Sequence, residues 1–255
     1  MTRRSARFDI APPMLMAENL DKYANAYNDD FKYALDNDII IRAYAKRIAG
    51  KLTGNSLLEL GIGHGFSTEI FSERVERYLI VEGSKEIIDR FSAKNPRNGM
   101  EIAHSLFEDF STDEKFDNIV MGFVLEHVED PEAIVAKYGA FLKKDGRLFI
   151  TVPNSEALNR RLGFSAGMID SLDFLSEYDR MLGHKRYFNM NSLETLARGA
   201  GFKILSAEGL FLKPITTDQI KEIGLKREIL DAMIEVGYGY PELCTAILME
   251  LAHEE

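Results

Sequence analysis

Between residues 56 and 152 two hydrophobic rhythms take turns. Short runs dense in apolar residues, SLLEL at 56–60, YLIVE at 78–82, MEIAH at 100–104, FDNIVMGFV at 116–124 and RLFITV at 147–152, alternate with stretches of amphipathic, helical spacing. The first kind is the mark of a strand buried on both faces, the second of a helix with one face on a core. Helices are expected from about Phe66, from about Lys85 and after Pro131, where Asp130 suits an N-cap and the proline suits the first turn. KKDGRLFITV reads as a helix end, a turn and an apolar strand. Strands and helices that alternate in this way build a parallel sheet covered on both faces.

The flanks are different. Residues 20–49 carry Tyr23, Tyr27, Phe31, Leu35, Ile40, Tyr44 and Ile48 at helical spacing, ended by Gly50, Gly54 and Asn55. After Val152 the alternation breaks, and residues 155–190 contain no clean strand, as an insertion would. The pattern returns with a helix at 191–200 stopped by Gly201, a strand at about 202–207, a polar helical stretch near 217–236 and a last strand, TAILMEL, at 245–251. There is no internal repeat, and one domain over 1–255 accounts for the pattern better than two.

Composition narrows the function. At 45% hydrophobic and 28% charged, the 255 residues are ordinary for a globular chain. A net charge of −10 argues against a broad nucleic-acid surface, which needs clustered Lys and Arg. No apolar run approaches the roughly 20 residues that span a bilayer. The opening MTRRSARFDIAPP has arginines without a following apolar stretch, so no secretory signal is read. A single cysteine, Cys244, excludes an intramolecular disulfide. The expectation is a cytoplasmic protein without a membrane partner, monomer or homodimer.

The chemistry begins where the strand at 57–60 runs into Gly61, Gly63 and Gly65. Glycines let a ligand approach the main chain, and the N–H groups of the helix that follows can take a polar or anionic group. The next strand ends at Glu82, whose carboxylate is placed to accept hydrogen bonds from ribose hydroxyls. The bland alternative is a tight strand-to-helix connection. The spacing is G-x-G-x-G and not the dinucleotide G-x-G-x-x-G, and an acid, Glu59, precedes the first glycine by two.

ELGIGHG at 59–65 resembles motif I of the class I S-adenosylmethionine (SAM)-dependent methyltransferases, and IVEGS at 80–84 resembles their second motif. FDNIVMGFVLEHVEDP at 116–131 and FLKKDGRLFITVPN at 141–154 are similar to their fourth-to-fifth-strand stretch. The resemblance implies a Rossmann-like mixed sheet of seven strands, the last antiparallel, with helices on both faces. It implies SAM as cofactor and S-adenosylhomocysteine as product, a helical lid within 1–50 and an acceptor-covering insertion at 155–190. Glu59 would approach the methionyl amine, directly or through water. Gly61, Gly63 and Gly65 would line the cofactor, and Glu82, with Gly83 beside it, would hold the ribose. Leu106 and Phe107 would flank the adenine, Gly122 and Phe123 would lie near the transferable methyl, and Tyr23 and Tyr27 would close over it. For those two tyrosines, ordinary core packing is an equal alternative.

Methyl transfer from a sulfonium is an in-line displacement that needs an aligned acceptor and a dry site. A hydroxyl acceptor gains from a general base, whereas a neutral amine needs mainly positioning. Glu126 and His127 follow the fourth strand, and His184 lies in the insertion, so these three are the candidate catalytic groups. His127 could instead cap its loop. The trio would also suit a divalent cation, but relatives that bind one carry an acid three places before the glutamate. Phe123 stands there, and no metal is expected. Arg160, Arg161, Lys185, Arg186 and Tyr187 are candidate acceptor-binding residues; the alternative for the four cations is a solvated basic face.

The sequence therefore points to an O- or N-methyltransferase for a small polar metabolite, with a sugar or nucleotide-linked sugar first. Three rivals share the motifs: an amine or peptide-terminus N-methyltransferase, a catalytically silent SAM-binding or partner-binding module, and a dehydrogenase.

Overall fold

The computed structural model describes residues 20–27, 34–95 and 99–254. A 3-10 helix, Leu20–Tyr27, precedes α1 (Ala34–Ala49), and the alternating region follows: β1 (Ser56–Leu60), α2 (Phe66–Ser72), β2 (Arg77–Glu82), α3 (Lys85–Lys94), β3 (Glu101–His104), β4 (Phe116–Gly122), α4 (Pro131–Gly139) and β5 (Leu142–Pro153). The insertion holds α5 (Leu158–Ser165) and α6 (Glu177–Met181). The chain closes with α7 (Met190–Gly199), β6 (Phe202–Leu210), α8 (Thr217–Ile223), α9 (Arg227–Gly237) and β7 (Ala246–His253).

The strands form one sheet in the order β3-β2-β1-β4-β5-β7-β6. β1 to β5 pair in parallel, and β7 runs antiparallel to both β5 and β6. The order reverses direction between β1 and β4, and the crevice at such a switch point is where open α/β sheets bind ligands.

Strand periodicity assigns the two faces. Leu58, Leu60, Ile119, Met121, Leu148 and Ile150 share one core with Ile134 and Tyr138 of α4 and Leu193 of α7. Leu57, Ile80, Val120 and Phe149 share the other with α1, α2 and α3, which contribute Ile39, Phe71 and Phe91. Glu59 points to this second face among apolar neighbours.

Two expectations are corrected. KKDG is not a turn before the strand: β5 starts at Leu142, and its pairing with β4 shifts register between Phe116 and Asn118 to absorb the polar residues. The helical stretch near 217–236 is two helices, because Gly224 caps α8 in the left-handed region at φ 68°.

Gly209 of β6 has no room for a side chain. A Cβ there would stand 2.5 Å from the Gly237 carbonyl oxygen and 2.6 Å from Cys244 Sγ. Overpacking against backbone costs about 1–3 kcal/mol, and each kcal/mol moves Tm by about 2–4 °C in a chain of this size. Gly209→Ala is expected to lower Tm by about 2–12 °C in a calorimetric scan. Gly163→Ala, whose nearest neighbour would be Ile169 Cγ1 at 3.9 Å, serves as the control and leaves Tm unchanged or slightly raised.

Candidate active site

A cavity of about 620 Å³ opens over the carboxyl ends of β1, β2 and β4. Its first wall is the glycine turn. Gly61, Gly63 and Gly65 have φ of 80°, 52° and 79°, a region that disfavours side chains. Gly61 and Gly63 line the cavity; Gly65 does not, and a Cβ on it would meet the Phe91 ring at 2.8 Å. Gly65 therefore serves the packing of α2 against α3.

Glu82 ties the turn down. One of its carboxylate oxygens accepts from the Ile62 N–H at 2.9 Å and the other from the Ser84 N–H at 2.8 Å. Burial pushes its carboxyl above the usual range, and those backbone bonds pull the other way. A carboxylate offers about four acceptor positions, so capacity remains for a ligand in the cavity that Glu82 lines.

Glu59 is placed behind the wall. It accepts from Ser67 Oγ at 2.7 Å, Thr68 Oγ1 at 3.2 Å and the Tyr78 hydroxyl, and burial raises its carboxyl to about 7. Ser67, not Glu59, lines the cavity, so any hold on a ligand from Glu59 passes through Ser67 or a water.

Gly83, Leu106 and Phe107 line the next stretch, with Phe107 Cζ 3.9 Å from where a Gly61 Cβ would be. The 3-10 helix is anchored here by Asp21, which accepts from Ser84 Oγ at 2.7 Å and the Glu86 N–H at 3.1 Å. Tyr23 lines the cavity and lies 3.0 Å from the Cβ position of Gly183, so this helix touches the insertion. The Tyr27 side chain, Phe31 and residues 1–19 lie outside what the structure describes.

At the end of β4, Gly122 and Phe123 line the cavity against Tyr44 of α1, whose hydroxyl would be 2.6 Å from a Gly122 Cβ. Phe123 has φ 57°, an uncommon conformation for a phenylalanine, and its N–H is held by the Thr151 carbonyl at 2.8 Å. The chain then presents Glu126 and His127, and the insertion brings His184 to them, with the two imidazoles edge to face at 4.9 Å. Ligand atoms of these three residues lie within 4.8 Å of one another, a spacing that one divalent cation could bridge. Burial sets their charge states: it raises Glu126 to about 8, lowers His127 to about 3, and lowers His184 against the opposing pull of Asp179. At neutral pH the trio is a carboxylic acid and two uncharged imidazoles. Both Glu126 oxygens and His184 Nδ1 are buried without a hydrogen-bond partner among the described residues.

The insertion is joined to this loop by backbone contacts. The Lys185 N–H donates to the Glu126 carbonyl at 2.8 Å, and the Arg186 guanidinium donates to the carbonyls of Leu125, Val128 and Glu129. Arg186 thus holds the loop and is not in the cavity lining; Arg161 is likewise outside it, paired with Glu156 at 2.5 Å. Arg160, Lys185 and Tyr187 do line it, Arg160 stacked 4.1 Å over the Tyr187 ring and Lys185 paired with Glu129 at 2.6 Å. The structure brings together two of the four expected cations with Tyr187.

Sequence reasoning missed a buried pair in the same wall. Lys213 donates to Asp36 Oδ2 and, at 2.9 Å, to Thr217 Oγ1; both charged groups are less than a tenth exposed. The partners stand 177 positions apart, so no local pattern marks them. Asp179, also missed as a site residue, lies with Oδ1 3.7 Å from His184 Nδ1.

A doubly wound sheet with a nucleotide-sized cavity at its switch point, a glycine turn and an acid ending β2 defines a nucleotide-cofactor α/β enzyme. A methyltransferase-domain model matches residues 31–207, and the chain belongs to that family, the class I SAM-dependent methyltransferases. It is 24% identical over 167 residues to a protein of Mycolicibacterium smegmatis named a probable S-adenosylmethionine-dependent methyltransferase, covering 65% of this chain and 59% of that one. It is 30% identical over 119 residues to a ubiquinone biosynthesis O-methyltransferase of Actinobacillus pleuropneumoniae, covering 44% and 51%. The matches thus span between half and three fifths of these curated relatives. Among solved structures, a SAM-dependent methyltransferase of Thermotoga maritima described as a possible histamine N-methyltransferase shares the fold at 20% identity, with a TM-score of 0.61 over 92% of this chain and 99% of that one. No helix among the described residues is long and apolar enough to cross a membrane.

Glu126 generates a pH prediction. An unfolded glutamate titrates near about 4.3, whereas burial raises this one to about 8. An acid raised in the folded state contributes stability that is fully present below the unfolded value and lost as pH climbs through the folded one. From about pH 5 to about pH 9, the Tm of the wild type should fall relative to that of Glu126→Gln. Parallel Tm curves for the two proteins would contradict the raised value.

Proposed function

We propose that the protein transfers a methyl group from SAM to a hydroxyl of a small polar metabolite. The observation that carries this reading is that one cavity joins the Gly61, Gly63 and Glu82 wall to the face made by Glu126, His127 and His184. SAM lies against the first wall, with its ribose on Glu82 and its adenine beside Phe107, and the acceptor lies against the second. The 3-10 helix with Tyr23 closes over the cofactor, and the insertion with Arg160, Lys185 and Tyr187 covers the acceptor. Uncharged imidazoles favour a hydroxyl over an amine, because they can take the proton that an alkoxide-forming acceptor must lose. The methyl–sulfur bond breaks with its electron pair on sulfur, the oxygen–methyl bond forms, and the hydroxyl proton goes to an imidazole.

The name of the ubiquinone O-methyltransferase relative supports oxygen as the methylated atom; the histamine description of the Thermotoga protein keeps nitrogen as the second reading. A sugar or nucleotide-linked sugar is the first acceptor class to assay.

With labelled SAM and an acceptor found by screening, His127→Ala and His184→Ala together are expected to lower kcat by about 10²–10⁴ while the affinity for SAM is kept. Retention of most activity by the double variant would favour an amine acceptor. Treatment with EDTA is expected to leave turnover unchanged; loss that is restored by added Mn²⁺ would reassign the trio to a cation.

A further inference from the structure

The two histidines facing the acceptor are not equivalent, and the difference lies in what stands behind each ring. We infer that His184 is the proton acceptor, through Nε2, and that Asp179 is the residue that positions it by taking the Nδ1–H. This rests on the O-methyl transfer proposed above.

Asp179 belongs to α6, in the insertion, and is 2% exposed. Its carboxylate is fixed on one side: Oδ2 accepts from the Ser176 N–H at 2.8 Å and from Ser176 Oγ at 2.6 Å, as part of the capping box of α6. The other oxygen, Oδ1, accepts from the Tyr187 hydroxyl at 3.0 Å and lies 3.7 Å from His184 Nδ1. The main chain holds the same pair together, since the His184 N–H donates to the Asp179 carbonyl at 2.9 Å. His184 Nδ1 is buried and has no other partner among the described residues. A buried ring nitrogen facing a carboxylate just beyond hydrogen-bond length is placed to donate to it. Such bonds are commonly long without ligand and shorten when substrate is bound. Tyr187 adds support, edge-on to His184 at 6.2 Å and covered by Arg160.

His127 has no counterpart of Asp179 paired with it among the described residues. Its ring is hydrogen-bonded to the backbone at Gly183, and His184 and Lys185 both oppose a positive charge on it. The Glu126 carboxyl, within 4.8 Å of both rings, is kept protonated by burial and so offers neither imidazolium a counter-charge. A general base must tolerate its own protonated form. An imidazolium at 184 would sit beside the Asp179 carboxylate, and one at 127 would sit beside another imidazole. The hydroxyl proton therefore moves to His184 Nε2 as the methyl leaves sulfur, Asp179 stabilises the resulting imidazolium, and the proton later passes to solvent. His127 packs the other ring in place.

The test reads the tautomer directly and needs no acceptor. In protein labelled with ¹⁵N-histidine and saturated with S-adenosylhomocysteine, long-range ¹H–¹⁵N spectra at neutral pH show which nitrogen of His184 carries the proton, its signals being assigned by their loss in His184→Gln. The wild type is expected to show Nδ1–H at His184. Asp179→Ala should move His184 toward the Nε2–H form that an unconstrained imidazole favours, with His127 signals in place. Asp179→Asn, whose one amide oxygen is needed by the Ser176 N–H and whose NH2 then faces Nδ1, should keep the cap and still move His184 toward Nε2–H. A capping role alone would leave the tautomer unmoved. Nε2–H at His184 in the wild type, which needs no variant to fold, would overturn the inference, as would an unchanged Nδ1–H in Asp179→Ala. Failure to bind S-adenosylhomocysteine would instead sink the methyltransferase reading, and the tautomer of the ligand-free protein would still decide the question about Asp179.

Discussion

The hold of Glu82 on the amides of Ile62 and Ser84 is the contact on which the cofactor wall depends. A carboxylate at the end of β2 reaches across to the turn that leaves β1, so the two strand ends and the glycine loop move as one piece. Besides those bonds, the turn with its positive φ angles at Gly61 and Gly63 is tied to β2 by the Gly61 N–H, which donates to the Val81 carbonyl at 2.8 Å. The same carboxylate caps the approach to α3 through Ser84, and Ser84 in turn anchors Asp21 of the 3-10 helix. One side chain thus orders the floor of the cavity and the segment that lies over it.

Burial does the electrical work on the opposite wall. Glu126 is held neutral and both imidazoles are held uncharged by burial, and hydrogen bonds in such a low-dielectric site are stronger than in water. That burial comes in part from the insertion, which Arg186 fastens to three carbonyls of the loop after β4. Arg186 was a candidate acceptor-binding residue in the sequence; in the fold its guanidinium donates to those carbonyls and does not line the cavity.

The sheet was legible in the sequence wherever apolar runs were dense, since strands buried on both faces leave no room for polar residues except with a reason. Glu59 was such an exception, and its three hydroxyl partners supply the reason. Local signals failed where the determinant was distant. β5 begins five residues before its apolar run because Leu142 already pairs with Phe116 of β4 and KKDG is accommodated in the register shift that follows, and Asp36 meets Lys213 across 177 positions of the chain. Gly65 read as a cofactor glycine, but Phe91 of α3 fills the space beside it. Asp179 was hidden in an acidic stretch of the insertion, where only the fold shows which carboxylate is turned toward His184.

The most direct test of the central claim is calorimetric titration of the folded protein with S-adenosylhomocysteine, with NAD as the competitor class and Gly63→Arg as the blocked control. The account predicts micromolar or tighter binding of S-adenosylhomocysteine alone, lost in the Gly63→Arg protein. Absence of binding, or binding of NAD in its place, would contradict it and leave the glycine turn as a tight connection between β1 and α2.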